Sequence, residues 1–321
     1  MTRSGMPSRV AVIGNGIIGH GVAQVFAVAG PEGRLIGRSP QSLERALGRI
    51  RESLGRFAAH GLVTAEGAER ALRRITTSTD LEAAAGAGLV VEAVTEDLPL
   101  KHGIFERLDR VCPPPAVLAS SSGQPASRLV AQVGRRERVV AAHFWNPPQL
   151  IPLVEVCAGP ETAPDVVPWL CDVLRAVGKQ PVVLDREIDG FIGNRLQFAL
   201  LREALALWAT GVASAEAIDL AVKASFGRRL AVTGPLESAD VGGLDTMHAF
   251  AAFLFPELDR STAPPAAMGD LVRAGHRGVP SGRGLYDWSR RDGQALVAER
   301  VEELFRHLGR GQRARPQVGS A

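Results

Sequence analysis

Lysine, cysteine and long apolar runs are scarce in this chain, and each scarcity removes a class of function. The three cysteines, Cys112, Cys157 and Cys171, form neither a C-x-x-C pair nor a metal-ligand spacing, so they read as reduced, packed thiols. The histidines at 20, 60, 102, 248, 276 and 307 are scattered without a ligand pattern, and no metal is expected. No apolar run reaches the roughly eighteen residues a membrane span requires, and the opening MTRSGMPSRV lacks the apolar core of a signal peptide. A cytoplasmic chain without a membrane partner is the expectation. The formal charge of +3 is small for 321 residues, and arginine is not gathered into a basic run interleaved with aromatics, so a nucleic-acid partner is not expected either. Lysine occurs only at 101, 179 and 223, which makes each lysine a better functional marker than any arginine in this Arg-rich background.

What is present is an ordinary globular composition, 45% hydrophobic and 22% charged, sufficient for about two domains. The chain opens with a strand-like run, Arg9-Val-Ala-Val-Ile13, followed at once by Gly14-Asn-Gly16-Ile-Ile-Gly19 and an Ala- and Val-rich helical stretch to Ala29. G-x-G-x-x-G acquires meaning in that strand–turn–helix context. Gly14 permits the tight turn, Gly16 lets the backbone approach a pyrophosphate, and Gly19 lets helix and strand pack closely. The free amides at the helix start then face the anion. A glycine-rich turn of another α/β fold is the plain alternative.

The second strand of such a fold ends in the residue that reads the adenosine ribose. Asp or Glu there bonds the 2′-hydroxyl of NAD, whereas a nearby Arg accommodates the 2′-phosphate of NADP. Here the strand ends Gly37-Arg38-Ser39, without an acid. Gly37 removes a repulsive carboxylate, and Arg38 with Ser39 can bind a phosphate by charge-assisted hydrogen bonds, so the reading leans to NADP. A surface arginine is the alternative.

Further strands are expected at 34–37, 89–94, 116–120, 139–144, 151–156 and 181–184, with helical patterns between most of them. This alternation predicts a doubly wound, mostly parallel sheet. Residues 41–74 read as two helices broken at His60–Thr64, a helical hairpin inserted into the alternation. After Asp185 the strand signals stop and helical patterns continue to the end, interrupted at 233–235, 263–265 and 281–284. The division is placed at 186, giving a dinucleotide-binding domain, 1–186, and an all-α domain, 187–321, for substrate binding and homodimerisation. The helix at 191–208 is apolar on more than one face, which suits burial or a dimer interface. The Gly-, Arg- and Gln-rich tail after His307 is expected to be disordered.

The segment His143-Phe-Trp-Asn-Pro-Pro-Gln-Leu-Ile-Pro-Leu-Val-Glu155 places an imidazole, the Asn146 amide and a carboxylate around turn-forming prolines. A base acting on an alcohol near neutral pH needs a group that titrates there and a partner that fixes its tautomer. Two adjacent strands joined by this Pro-rich turn could bring His143 beside Glu155. A structural histidine and an unrelated surface glutamate would fit the same residues.

Taken together, VAVIGNGIIGHGVA, LVVEAVTEDLPLKHGIF, VLASSS, VVAAHFWNPPQLIPLVEV, DGFIGNRL, GPLESADVGGLD and SGRGLYDW resemble the 3-hydroxyacyl-CoA dehydrogenase family, which includes the L-gulonate 3-dehydrogenase (lambda-crystallin) and carnitine dehydrogenase branches. The resemblance extends over nearly the whole chain. It implies a Rossmann-type sheet with an inserted helical hairpin, followed by the all-α domain, and an NAD(P)-dependent oxidoreductase acting on a CH–OH group. It further implies that His143 removes the substrate hydroxyl proton, that Glu155 orients it, and that Asn194 holds the substrate. Ser122 is the candidate for the serine that touches the substrate oxygen, with Ser121 or an empty position at Gly123 left open by the irregular loop. Glu96 and Lys101 match cofactor-side residues, with Asp97 in place of the usual Asn; Lys101 could instead pair with Asp97 at helical spacing. The family usually takes NAD. Ser53 and Asn146 are substrate-side candidates, Ser53 matching a serine of the hairpin that contacts coenzyme A in acyl-CoA members. His60 stands where those members carry lysine, which weakens the CoA reading. The favoured small-molecule substrate is a 3-hydroxyacyl-CoA, the second reading a free 3-hydroxy acid such as L-gulonate or carnitine, and the third a non-catalytic nucleotide-binding or structural protein.

Overall fold

The structure, a computed structural model, describes residues 3–313. The described chain forms two compact units, one running to Ile192 and resuming at Val301, the other spanning Gly193–Arg300.

The first unit is built on one eight-stranded sheet of β1 (Arg9–Ile13), β2 (Glu32–Ile36), β3 (Ile75–Ser78), β4 (Leu89–Glu92), β5 (Val117–Ser120), β6 (Val139–Phe144), β7 (Leu153–Ala158) and β8 (Gln180–Leu184). Their spatial order is β3-β2-β1-β4-β5-β6-β7-β8, and every neighbouring pair is parallel except β6 with β7. Helices α1 (Gly19–Ala29), α2 (Pro40–Ala59), α3 (Ala65–Arg73), α4 (Leu98–Val111) and α5 (Val166–Ala176) alternate with the strands. The inner strands β1, β4, β5 and β6 read as near-continuous apolar runs because both of their faces are covered, as in parallel sheets. Val10 and Val12 enter a core shared with α1, α2, α3 and α5, whereas Ala11 and Ile13 enter a second core shared with α4. Val91 and Val90 divide in the same way.

Two expectations are corrected. The residues at 75–78 form β3, an edge strand that the apolar pattern did not signal because Thr76 and Thr77 face solvent. The expected helical hairpin is present as α2 and α3, which lie between the parallel strands β2 and β3, and Leu43, Ala46, Ile50, Leu54 and Ala71 bury their apolar stripe in the core. The helical tail is the second correction. Helix α11 runs Gly293–Arg313, so residues 308–313 are helical rather than disordered, and 314–321 lie outside the described residues. Phe305 explains the continuation, since it packs in the first unit with Phe57, Leu62 and Leu150.

The second unit comprises α6 (Phe191–Ala209, entering from the first unit), α7 (Ala215–Ala224), α8 (Pro235–Gly242), α9 (Leu244–Leu254), α10 (Ala266–Arg273) and the start of α11. Among its described residues Leu205 is the one buried hydrophobic side chain, while Leu236 and Val241 are each 82% exposed and Phe253 is 73% exposed. Among the described residues no helix is long and apolar enough to cross a membrane.

Candidate active site

The strand order reverses between β1 and β4, and ligands of open α/β sheets bind outside the carboxyl ends of the strands at such a point. The turn after β1 is shaped for that role. Gly14 has φ +101°, and a β-carbon there would lie 2.5 Å from the carbonyl oxygen of Ala93. One at Gly19 would lie 1.8 Å from the carbonyl oxygen of Gly14, whereas one at Gly16 would meet nothing within 4 Å. Close packing on either side and open backbone between them fit a pyrophosphate seated over Gly16. His20, buried on the first turn of α1, is held below the ordinary histidine range mainly by desolvation, against a bond to the Gly16 carbonyl, with the charge of Arg49 acting in the same direction as desolvation.

At the end of β2, Ser39 caps α2: its hydroxyl oxygen accepts from the Ser42 N–H at 3.3 Å. Arg38 is exposed beside it. At the end of β4, Glu92 forms a buried cluster that the sequence reading missed. Lys101 Nζ donates to Glu92 Oε1 at 2.8 Å and Oε2 at 3.0 Å, Ser120 Oγ donates to Oε2 at 2.6 Å, and the Val94 N–H donates to Oε1 at 2.6 Å. Lys101 does not pair with Asp97, whose carboxylate instead caps α4 by accepting from the Leu100 N–H at 3.0 Å. The ammonium lies 3.8 Å from Glu96 Oε2, so Lys101 stands behind Glu96, whose side chain is half exposed. Ser122 is buried and donates to Glu96 Oε2 at 2.6 Å, which ties the candidate serine to the cofactor-side carboxylate. Ser121 Oγ instead accepts from the Phe144 N–H at 3.4 Å.

The antiparallel register of β6 and β7 sets His143 directly opposite Glu155. His143 Nδ1 lies 2.9 Å from Glu155 Oε2. Trp145 Nε1–H donates to the same oxygen at 3.0 Å, and the Ile192 N–H donates to Oε1 at 2.8 Å. An ionised carboxylate can only accept, so the ring proton sits on Nδ1 and the lone pair of Nε2 is free to take another proton. Burial of Glu155 makes those bonds stronger than they would be in water. The Ile192 amide is delivered by a tight turn, Gly190 at φ +77° and Phe191 at φ +49°, the latter a left-handed conformation unusual for a bulky residue. Phe191 also packs its ring 5.6 Å from that of His143.

The turn between the two strands is fixed to its surroundings. Lys179 is buried and donates to the carbonyls of Pro148 and Ile151, the latter at 3.0 Å, and desolvation pushes its ammonium down to about 8. Pro148 and Gln149 pack against Gly21 on α1, where a β-carbon would lie 2.3 Å from Gln149 Oε1 and 2.6 Å from Pro148 Cγ. Asn146 is exposed at the start of this turn. Ser53 is half-buried on α2, away from these strand ends along the chain, and Asn194 belongs to the second unit. Past Ser53, the basic side chains Arg56 and His60 are already engaged. Arg56 Nη2 donates to Glu302 Oε1 at 2.6 Å, His60 Nε2 lies 3.1 Å from Glu302 Oε2, and the His60 ring stacks on Phe305 with centroids 4.2 Å apart.

Two signals could have revealed more from sequence. Glu92 interrupts a run destined to be buried on both faces, and a carboxylate there requires a partner. Trp145 lies two residues past His143 within the same turn, and a buried indole N–H requires an acceptor.

Comparison with known proteins gives a consistent result. Residues 9–188 match the family model described as 3-hydroxyacyl-CoA dehydrogenase, NAD binding domain, and residues 190–288 match its C-terminal domain. The chain is 37% identical to the 3-hydroxyadipyl-CoA dehydrogenase of Escherichia coli over 92% of its own length and 62% of that relative's. It is 37% identical to the L-carnitine dehydrogenase of Streptomyces griseus, over 94% of this chain and 90% of the other. The solved structure of 5-formyl-3-hydroxy-2-methylpyridine 4-carboxylic acid 5-dehydrogenase, an NAD+-dependent dismutase, superposes with a TM-score of 0.88 at 30% identity, covering 96% of this chain and 99% of that one.

Proposed function

The chain belongs to the 3-hydroxyacyl-CoA dehydrogenase family, and we propose that it interconverts a 3-hydroxyacyl thioester and its 3-keto form with a nicotinamide dinucleotide. The observation that carries the chemistry is the His143 Nδ1–Glu155 Oε2 contact at 2.9 Å. When bound, the nicotinamide supplies the hydride acceptor or donor. The protein supplies the proton side: Glu155 fixes the imidazole tautomer, and His143 Nε2 takes the hydroxyl proton in oxidation or returns it in reduction. Ser122 holds the substrate oxygen near His143, with Asn146 at the mouth of the turn, and the family resemblance assigns Asn194 to the substrate. Gly14, Gly16 and Gly19 seat the pyrophosphate, Glu96 approaches the nicotinamide side and Lys101 positions Glu96. Arg38 and Ser39 favour NADP over NAD. The functional division at 186 assigns substrate and dimer contacts to the helical part, whose exposed apolar side chains support a homodimer.

A free 3-hydroxy acid, such as L-gulonate or carnitine, is the second reading, favoured by one observation. Arg56 of α2 and His60 just past its end are engaged by Glu302 instead of being free for the phosphates of coenzyme A. The decisive experiment follows NAD(P)H absorbance with 3-hydroxybutyryl-CoA, a long-chain 3-hydroxyacyl-CoA, L-gulonate and carnitine, each with NAD and NADP. Turnover confined to the free acids would replace the thioester reading. Nucleotide binding without turnover of any substrate would favour a non-catalytic binding protein.

A further inference from the structure

The end of β2 differs from an NAD-type ribose site by more than a missing acid. A β-carbon at Gly37 would lie 2.8 Å from Asn15 Cγ, from Asn15 Oδ1 and from Leu43 Cδ2. The volume of a side chain at 37 is therefore already filled by Asn15, the residue between the first two glycines of the turn after β1. Asn15 is held there by a second contact, because Arg49 Nη2 on α2 donates to its carbonyl oxygen at 2.7 Å. Arg49 is exposed, its charge is felt at His20, and among the described residues no carboxylate pairs with it or with Arg38. The first turn of α2 carries no acid, and its amino end adds the positive pole of a 20-residue helix to the same place. Asn15 is thus the common neighbour of a closed position 37 and of a cation from α2, and Arg38 follows position 37 in the chain.

We infer that Arg49 is a specificity-determining residue that, with Arg38, binds the 2′-phosphate of a nucleotide whose ribose lies over Asn15. This rests on the dinucleotide reading above and adds the residue that discriminates between the two cofactors. A phosphate monoester carries close to two charges and three acceptor oxygens, and a pair of guanidinium groups without acid partners meets both requirements. The ribose diol of an unphosphorylated nucleotide finds no carboxylate acceptor at position 37.

The test measures binding to the full chain by calorimetry, with adenosine 2′,5′-bisphosphate against 5′-AMP and with NADPH against NADH, in wild type, Arg49→Gln and Arg38→Gln. The expected result is tighter binding of both 2′-phosphorylated ligands by wild type, and a loss of roughly tenfold or more for those ligands in each variant, with 5′-AMP and NADH nearly unchanged. Equal weakening of all four ligands by Arg49→Gln would assign Arg49 to the pyrophosphate and overturn the inference, as would wild-type preference for NADH. If wild type binds none of the four, the dinucleotide reading itself fails.

Discussion

Ile192 donates its backbone N–H to Oε1 of Glu155 at 2.8 Å, so the carboxylate that meets the histidine on one oxygen is anchored on the other by the turn that starts α6. Glu155 is therefore unable to rotate without breaking a bond at each end. Glu155→Gln replaces one acceptor by an NH2 group that must face a donor. Turnover is expected to fall by about 10²- to 10⁴-fold, with nucleotide affinity nearly unchanged, as read by NAD(P)H kinetics and by calorimetry. His143→Ala is expected to fall by a similar factor, and the double variant by little more than either single one. Additive losses would show that the two residues do not act as a unit.

Lys101 and Glu92 are both fully buried, each the other's charge partner. Lys101→Met leaves the carboxylate without its cation inside the sheet edge, a change expected to cost about 3–5 kcal/mol in urea unfolding. Pairing it with Glu92→Gln should recover part of that loss, because the uncompensated charge is then removed as well. No recovery in the double variant would mean that packing of the lysine stem, and not its charge, sets the cost.

Lys179 gives stability a pH dependence of known sign. The unfolded chain holds this proton up to about 10.5, the ordinary lysine value, whereas burial makes the folded chain release it at about 8. Between those values the unfolded state binds more protons, so rising pH favours the folded state. Cys112 and Cys157 act oppositely, because burial pushes both thiols up to about 11 and their contribution is lost as pH rises above the usual thiol range. Comparison of wild type with Lys179→Met cancels the cysteine part. The stability of wild type relative to that variant should increase from pH 8 to pH 10, by at most on the order of 3 kcal/mol. A flat difference would refute the assignment of a depressed lysine.

The helical unit buries few of its own apolar side chains, and Phe250 and Phe253 on α9 are 63% and 73% exposed. Apolar surface on that scale is expected to be covered by a second copy of the chain. Sedimentation equilibrium should give a dimer, and the pair Phe250→Glu with Phe253→Glu should shift it toward monomer with a lower melting temperature. A wild-type monomer at micromolar concentration would exclude this partner.

The sequence reading reached the glycine turn and the His143–Glu155 pair for the same physical reason: each depends on local pattern. A strand running into G-x-G-x-x-G fixes the turn, and two short strands around prolines fix the register that sets an imidazole opposite a carboxylate. What it missed depends on contacts distant in sequence. Glu92 acquires its meaning from Lys101 and Ser120 on other elements, β3 is held by pairing with β2 and not by its own apolar content, and the helix at 308–313 follows from Phe305 packing on Phe57. Lys101 illustrates the boundary well. Helical spacing offered Asp97 as its partner, yet the lower-dielectric position beside Glu92 binds the ammonium more strongly.

Gly21 stands outside the glycine fingerprint, but it bears directly on the turn that holds His143 opposite Glu155. Because Pro148 and Gln149 rest on it, a single methyl group at 21 would push the turn that connects His143 with Glu155, whereas one at Gly37 would meet Asn15 and Leu43 instead. Substitution at the end of β2 therefore leaves the spacing of the imidazole and the carboxylate alone, whereas any side chain at 21 is transmitted to it through two residues of one turn.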